Sequence, residues 1–495
     1  MMIKFLRPHL PLLAIIAVSM VLQLITLGEW SYWFDEAFTS TLIQYDYSEI
    51  PYRTGLDVHP PLYYLLLKVW SGLLPFVEIS WRLRLFSVAL MCTAIWLSYR
   101  LVSLLAGRKA AYFSAMMVAI GPYVVRYGME ARMYALSACL ILLMTIVFVH
   151  QTRSEKPWRW VVYSLLLGAV LYTHYFGALV LFSHGMYWIL SLDKISFKPM
   201  SMLKALRVQW LMAAIGGFLL FAPWVPSLLD QLGHVNAGFW IPIISWNTFL
   251  NTLSQLLSFN SISSQFTGTL IAAVSLAIFA ALTWAYGRYA RQEGDLLRLN
   301  LLIGPVALGA LVLAVYSVLP YTSSIYTDRY LSQLAPIFYA GLGLILYRLC
   351  SSKYAHKNIL VAASILVSLV GVSSVLTGNG GPIGDGKFND KSLAAYSVLT
   401  DEQKDLPVVT RDFWQYYTMA HYHQSNVYIH DKLDTGSRGA VLIYDRPDLH
   451  QSNVMSEEVL YVHDRSADDL GDSWRYVQNI YQTDGITIDL YRSTL

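Results

Sequence analysis

The sequence predicts a polytopic α-helical membrane protein with a small α/β domain at its carboxy-terminal end, and three observations predict it. Of 495 residues, 56% are hydrophobic and only 14% are charged, against roughly 25% charged in an ordinary soluble domain. Apolar stretches near the ~20 residues that cross a bilayer recur along residues 1–376. Beyond the Gly-rich segment 377–386 the composition turns polar. The net charge of +3 is too small to point to a nucleic-acid partner, and none is expected.

The apolar stretches fall near 10–28, 82–104, 110–126, 133–150, 159–174, 177–192, 208–227, 266–287, 299–318, 331–348 and 358–376, which reads as about eleven transmembrane helices. The first reads as an uncleaved span, because Glu29-Trp30-Ser31-Tyr32 stands where a small-residue cleavage site would be. Lysines and arginines orient the spans. Lys4, Arg7, Arg100, Arg108, Lys109, Arg153, Arg207, Arg288, Arg298 and Arg348 fall in one alternate set of connections, while Arg53, Lys68, Arg126, Arg132 and Arg329 are among the few in the other. This places the N-terminus in the cytoplasm, and the loops 29–81 and 228–265 and everything after residue 376 outside. Cys92, Cys139 and Cys350 lie in apolar runs and read as small buried hydrophobes.

Within the polar tail, 387–495, residues 408–410, 427–429, 440–444 and 487–491 read as strands and 413–421 as a helix. His421, His423, His430, His450 and His463 show no metal spacing and read as surface histidines. In loop 29–81, residues 48–51 read as a turn. His59-Pro60-Pro61 opens an amphipathic aromatic helix expected in the membrane interface, since prolines are tolerated where first-turn N–H groups have no partner.

Chemistry-bearing residues gather on the outer side. Asp35-Glu36 sits among aromatics just after the first span; partial desolvation there makes a carboxylate a better general base. A helix-start turn is the structural alternative. Asp57 and His59 could join Asp35 or Glu36 around a divalent cation, although two ligands alone do not make a site. Arg126, Glu130 and Arg132, followed by Tyr134, can hold an anion such as a lipid phosphate. His174 lies where two spans meet with almost no loop, and Asp328-Arg329 at the entry to another, where Arg329 suits an anionic headgroup. His184 reads as structural.

Taken in order, Asp35-Glu36, His59-Pro60-Pro61-Leu62-Tyr63-Tyr64, Glu130-Ala131-Arg132-Met133-Tyr134, His174-Tyr175-Phe176, Phe221-Ala222-Pro223-Trp224 and Asp328-Arg329-Tyr330-Leu331 resemble the protein-mannosyltransferase-like and aminoarabinose-transferase-like glycosyltransferases of the multi-span GT-C type, bacterial glycosyltransferase family 39. The resemblance covers roughly residues 1–376. It implies an enzyme of the bacterial cytoplasmic membrane that moves a sugar from a polyprenyl-phosphate donor to a hydroxyl of a lipid, glycan or protein acceptor, inverting at the anomeric carbon. Asp35 is then the candidate base and Glu36 its neighbour. Arg132, Glu130, Arg329, Lys68 and Tyr134 become donor-phosphate candidates, and Asp57, His59, His174, Tyr63, Tyr64 and Asp328 cavity or metal candidates. His59 stands where the aminoarabinose group often has lysine, and Val58 replaces an acidic residue, so that group's metal site does not carry over directly. A lipid-linked-oligosaccharide ligase or polymerase would share these features. A secondary transporter would instead place ionisable groups near the bilayer midplane, commonly in inverted repeats, and no repeat is visible.

Overall fold

In the computed structural model, the described residues are 9–154, 156–191, 207–237, 241, 244–263, 265–319, 324–379, 390–423, 426–430, 442, 446–449, 451–463, 470, 473–483 and 486–494. The chain divides into two compact units, one of residues 1–26 and 84–383 and one of residues 27–83 and 384–495.

The first unit is helical. Among the described residues, six helices are long and apolar enough to cross a membrane: Ile79–Ala106, Tyr134–Arg153, Val208–Gly233, Phe266–Ala290, Asp328–Cys350 and Lys357–Leu376. Helices Asp295–Leu302 and Gly304–Ser317 form a seventh if their 55° bend is one broken span. Leu10–Leu24, Pro157–Leu171 and Tyr175–Leu190 are apolar but shorter. The protein is therefore a multi-pass membrane protein. Lipid tails are as apolar as leucine, so membrane helices associate through small residues and interhelical hydrogen bonds. Helix Arg108–Ala119 and helix Ala335–Cys350 follow this rule. A Cβ on Gly343 would come within 2.3 Å of the Ser114 Cα, and Ser114 Oγ donates to the Ala340 carbonyl at 2.8 Å. Ser164 likewise donates to the Ala213 carbonyl at 2.8 Å between Pro157–Leu171 and Val208–Phe221.

At one end of this unit Asp295 is fully buried. Its Oδ1 accepts from Arg298 at 2.7 Å and Arg348 at 3.1 Å, and its Oδ2 from the Tyr286 hydroxyl and the Gln292 N–H, both at 3.0 Å. His184 is held by Tyr163 at 2.8 Å and stacks on Phe148, as expected of a structural histidine.

The second unit joins chain segments far apart in sequence. Among the described residues its sheet has five strands: β1 Val408–Thr410, β2 Val427–Ile429, β3 Glu458–His463, β4 Trp474–Thr483 and β5 Ile486–Ser493. Their order is β2-β1-β3-β5-β4. β1 lies parallel to β2 and β3, and β5 antiparallel to β3 and β4. Val409, Val459, Tyr461, Leu470 and Tyr491 form its core. Of the strand read at 440–444 only Leu442 is described, and it lies in a turn; His450 falls outside the described residues, as does most of the linker 377–386.

Three expectations need correction here. Residues 48–51 do not form a turn: helix Glu49–Leu56 begins there, because Pro51 occupies the first turn, where a missing N–H costs nothing. The described tail histidines are not surface groups. His421, His423, His430 and His463 are all buried: His421 lies against Tyr32, Ser40 and Ser80, His423 against Tyr396 and the Leu406 carbonyl, and His430 and His463 beside Tyr461. In helix Leu62–Leu73, Tyr63 and Tyr64 are wholly buried in protein rather than presented to headgroups; Leu66, Val69 and Leu73 form the exposed side.

Candidate active site

In the second unit, the chain enters helix Phe34–Leu42 from an extended Trp33. Asp35 and Glu36 occupy its first turn, where the helix dipole favours carboxylates. Aromatic packing seats the helix: the Phe34 ring lies 4.0 Å from that of Trp414 and 5.7 Å from that of Tyr417, and Phe38 lies 5.5 Å from Tyr417. One helical step then separates two acids into different environments. Asp35 stays partly accessible, whereas Glu36 is fully buried.

Glu36 has a neighbour that sequence reading missed, Asp390. Burial pushes the Asp390 carboxyl above the ordinary range and the charge of Glu36 adds to this, while hydrogen bonds from Ser392 and Ser31 oppose it. Its Oδ1 accepts from the Ser392 N–H at 2.8 Å. Only its position ahead of helix Ser392–Ser397 could have drawn attention to it.

Lys68 donates to the carbonyls of Ile43 and Tyr45, both at 2.8 Å, and so caps the C-terminal end of helix Phe34–Leu42. Asp57 and His59 occupy the bend between helices Glu49–Leu56 and Leu62–Leu73, half-buried. Asp57 lies close enough to raise the Tyr417 hydroxyl, behind the larger effect of burial. Among the described residues, no group of three or more His, Cys, Asp and Glu could hold a metal ion. The donor set read from the sequence therefore does not converge among the described residues.

In the first unit, Glu130 and Arg132 lie in the turn between helices Pro122–Gly128 and Tyr134–Arg153. Both are buried, and Glu130 Oε2 pairs with Arg126 one helical turn earlier. Its other oxygen, Oε1, is buried with no hydrogen-bond partner among the described residues. Tyr134 packs edge-on against Tyr127 and near the His174 ring. His174 Nδ1 accepts from the Phe176 N–H at 3.3 Å and faces Gln333 Nε2 at 3.2 Å, which puts the ring proton on Nε2. Ser137 in turn donates to Gln333 Oε1. Asp328 Oδ2 accepts from the Tyr123 hydroxyl, which also meets Gln255 Oε1 at 3.2 Å. Arg329 follows in the same short 3-10 helix, half-exposed. The motif around Pro223 joins in through Trp224, whose indole donates to the Tyr175 hydroxyl at 2.8 Å, itself 2.6 Å from Gln231. The structure thus brings Glu130, Arg132, Tyr134 and His174 into one buried polar cluster. Tyr123, Gln255 and Gln333 were invisible in sequence because neutral polar residues in apolar runs carry no spacing signal.

Residues 58–226 match the family model described as dolichyl-phosphate-mannose-protein mannosyltransferase. The fold is similar to that of ArnT from Cupriavidus metallidurans bound to undecaprenyl phosphate, with a TM-score of 0.59 at 12% identity over 97% of both chains. The same ArnT in the apo state gives 0.58 at 12% identity, again over 97% of both chains. The archaeal oligosaccharyltransferase AglB from Archaeoglobus fulgidus, in complex with an inhibitory peptide and a dolichol-phosphate, gives 0.49 at 11% identity over 92% of this chain and 69% of that one. No curated protein sequence matches the chain. The GT-C resemblance read from the ordered motifs is met in the fold.

Proposed function

We propose that this chain, with its GT-C fold, is a glycosyltransferase that moves a sugar from a polyprenyl-phosphate donor to an acceptor hydroxyl on the outer face of the membrane, inverting the anomeric centre. The observation that carries the reading is the likeness to ArnT along nearly the whole chain, joined to the unequal acid pair at the start of helix Phe34–Leu42.

In this reaction the acceptor oxygen forms a bond to the anomeric carbon as the bond from that carbon to the phosphate oxygen breaks. The acceptor proton passes to Asp35, the more accessible of the two acids and so the one able to meet a hydroxyl. Glu36, buried beside Asp390, holds the first turn and its charge in place. Polyprenyl phosphate leaves with the bonding pair. Arg132, buried and close enough for its charge to act on His174, balances the growing phosphate charge, with Arg329 as the second cation. Glu130 Oε1 can only accept a hydrogen bond while ionised, so it suits a sugar hydroxyl better than the phosphate. The catalytic role of the first outer loop, 29–81, the outward orientation of the tail and the bacterial inner membrane belong to this same reading.

The test is Asp35→Asn in purified, lipid-reconstituted protein, with radiolabelled sugar on undecaprenyl phosphate and a total envelope extract as acceptor. Loss of a general base is expected to lower transfer by roughly 10²–10⁴-fold with unchanged donor binding. Transfer at the wild-type rate would remove Asp35 as the base.

A further inference from the structure

Within the second unit a cleft of about 830 Å³ opens between residues of the segment 40–82 and a wall that includes Tyr416, His421, Asn426, Leu442 and Arg446. That is toward the upper end of the roughly 300–1,000 Å³ typical of small-molecule sites, and more than a single sugar ring needs. We propose that this cleft binds the carbohydrate portion of the acceptor, an uncharged, hydroxyl-rich oligosaccharide. The inference rests on the glycosyltransferase reading and deepens it.

The lining is built rather than incidental. His421 forms the back wall: its Nδ1 meets Ser40 Oγ at 3.1 Å, its Nε2 meets Ser80 Oγ at 2.9 Å, and its ring stacks flat on Tyr32 at 3.9 Å. Tyr45 closes one side through a hydrogen bond to the Leu442 carbonyl at 2.6 Å, with Arg53 resting 3.8 Å over its ring. Tyr45 and Tyr416 give the cleft aromatic walls of the kind that sugar C–H faces pack against.

Charge distribution selects the ligand class. Arg446 is already forked onto Asp448 at 2.9 and 2.7 Å, Glu49 pairs with Arg53 at 3.6 Å, and Glu78 accepts from Ser80 Oγ and the Trp81 N–H. Arg446 and Glu49 are thus matched by opposite charges, while Glu78 accepts from neutral donors, Arg82 donates to the Leu74 carbonyl, and Asp46 also lines the cleft; this mixed lining, with carboxylates that disfavour a phosphate, leaves closely spaced donors and acceptors. Hydroxyl groups, donors and acceptors at once, match such a lining. Gln44 and Asp46 stand exposed at its mouth.

The test uses the full chain in lipid nanodiscs and, as probe, neutral oligosaccharides released by mild acid from the host envelope, labelled with 2-aminobenzamide and fractionated. Binding is measured by saturation-transfer NMR and fluorescence anisotropy. At least one fraction is expected to bind, and the double variant Gln44→Ala, Asp46→Asn to weaken it by about tenfold or more, equivalent to roughly 1.4 kcal/mol, with an unchanged melting temperature. No bound fraction, undiminished binding by the variant, or binding of only anionic fractions would each overturn the proposal. Because binding needs no turnover, it is scored separately from Asp35→Asn: wild-type transfer by that variant removes the proposed base and leaves the cleft result intact.

Discussion

Two carboxylates of the helical unit are equally buried and differently treated. Both Asp295 and Glu130 have no exposed surface. Asp295 receives two arginines, a tyrosine hydroxyl and a backbone N–H, so both of its oxygens are satisfied. Glu130 receives Arg126 on one oxygen, and the other has no hydrogen-bond partner among the described residues. A buried charge that is paired and fully bonded serves as a staple, here joining the turn after Tyr286, helix Asp295–Leu302 and helix Ala335–Cys350. An unmet buried oxygen costs about 1–3 kcal/mol. Folding gives no reason to retain that cost, whereas a ligand that arrives later and supplies a donor does. Under the proposed function, the difference separates an acid that holds the protein together from one that meets substrate.

The comparison breaks or sharpens under mutation. Asp295→Asn leaves two arginines short of a counter-charge and is expected to destabilise by about 3–5 kcal/mol, read as a lower melting temperature and yield, with normal specific activity in the surviving protein. Glu130→Gln keeps an oxygen for Arg126 and is expected to cost transfer, about 10–100-fold in kcat/KM, or roughly 1.4–2.7 kcal/mol at the barrier, with less thermal loss than Asp295→Asn. If both variants show the same ratio of activity loss to stability loss, the distinction fails. Gly343→Ala tests the neighbouring helix contact without charge: the new Cβ must push on the Ser114 backbone, for about 1–3 kcal/mol, again with activity intact. The smallest effect is expected at Asp390. Its carboxyl is raised by burial, then by Glu36, so the folded protein holds a proton that the unfolded chain releases. Its contribution is therefore fully present below the ordinary carboxylate pKa and is lost as pH rises through the folded value. Asp390→Asn should flatten that fall in melting temperature between acid and neutral pH; an unchanged slope would assign it to another group.

The membrane part was legible because a run of apolar residues long enough to span has few other uses: helices occupy each stretch read as a span, although length and composition alone qualify only six or seven. Helix Leu62–Leu73 was legible from its diproline start, and the strands at 408–410, 427–429 and 487–491, the last within β5, from short apolar runs. Neither β3 nor β4 was read as a strand; in β4, Trp474-Arg475-Tyr476 and the residues after it are mostly exposed and do not alternate. The buried tail histidines were misread for a deeper reason. His421 is covered by Tyr32, Ser40 and Ser80, which precede it by more than three hundred residues, and no local periodicity reports such a neighbour. Asp390 was lost for the same cause. The ordered motifs pointed to Glu130, Arg132 and His174, while the glutamines and tyrosines that orient them had no pattern to betray them.

The interleaved second unit has a consequence for biogenesis. Its amino-terminal portion emerges early in translation, yet the helix that covers Phe34 and Phe38, Phe413–His423, is among the last elements made. Until then the aromatic flank beside the Asp35-Glu36 pair lies bare, and the loop-closure entropy of nearly four hundred intervening residues remains unspent. Maturation of this acid pair is thus coupled to completion of the polypeptide: a nascent chain arrested before residue 413 would thread its spans and still lack the cover over that helix.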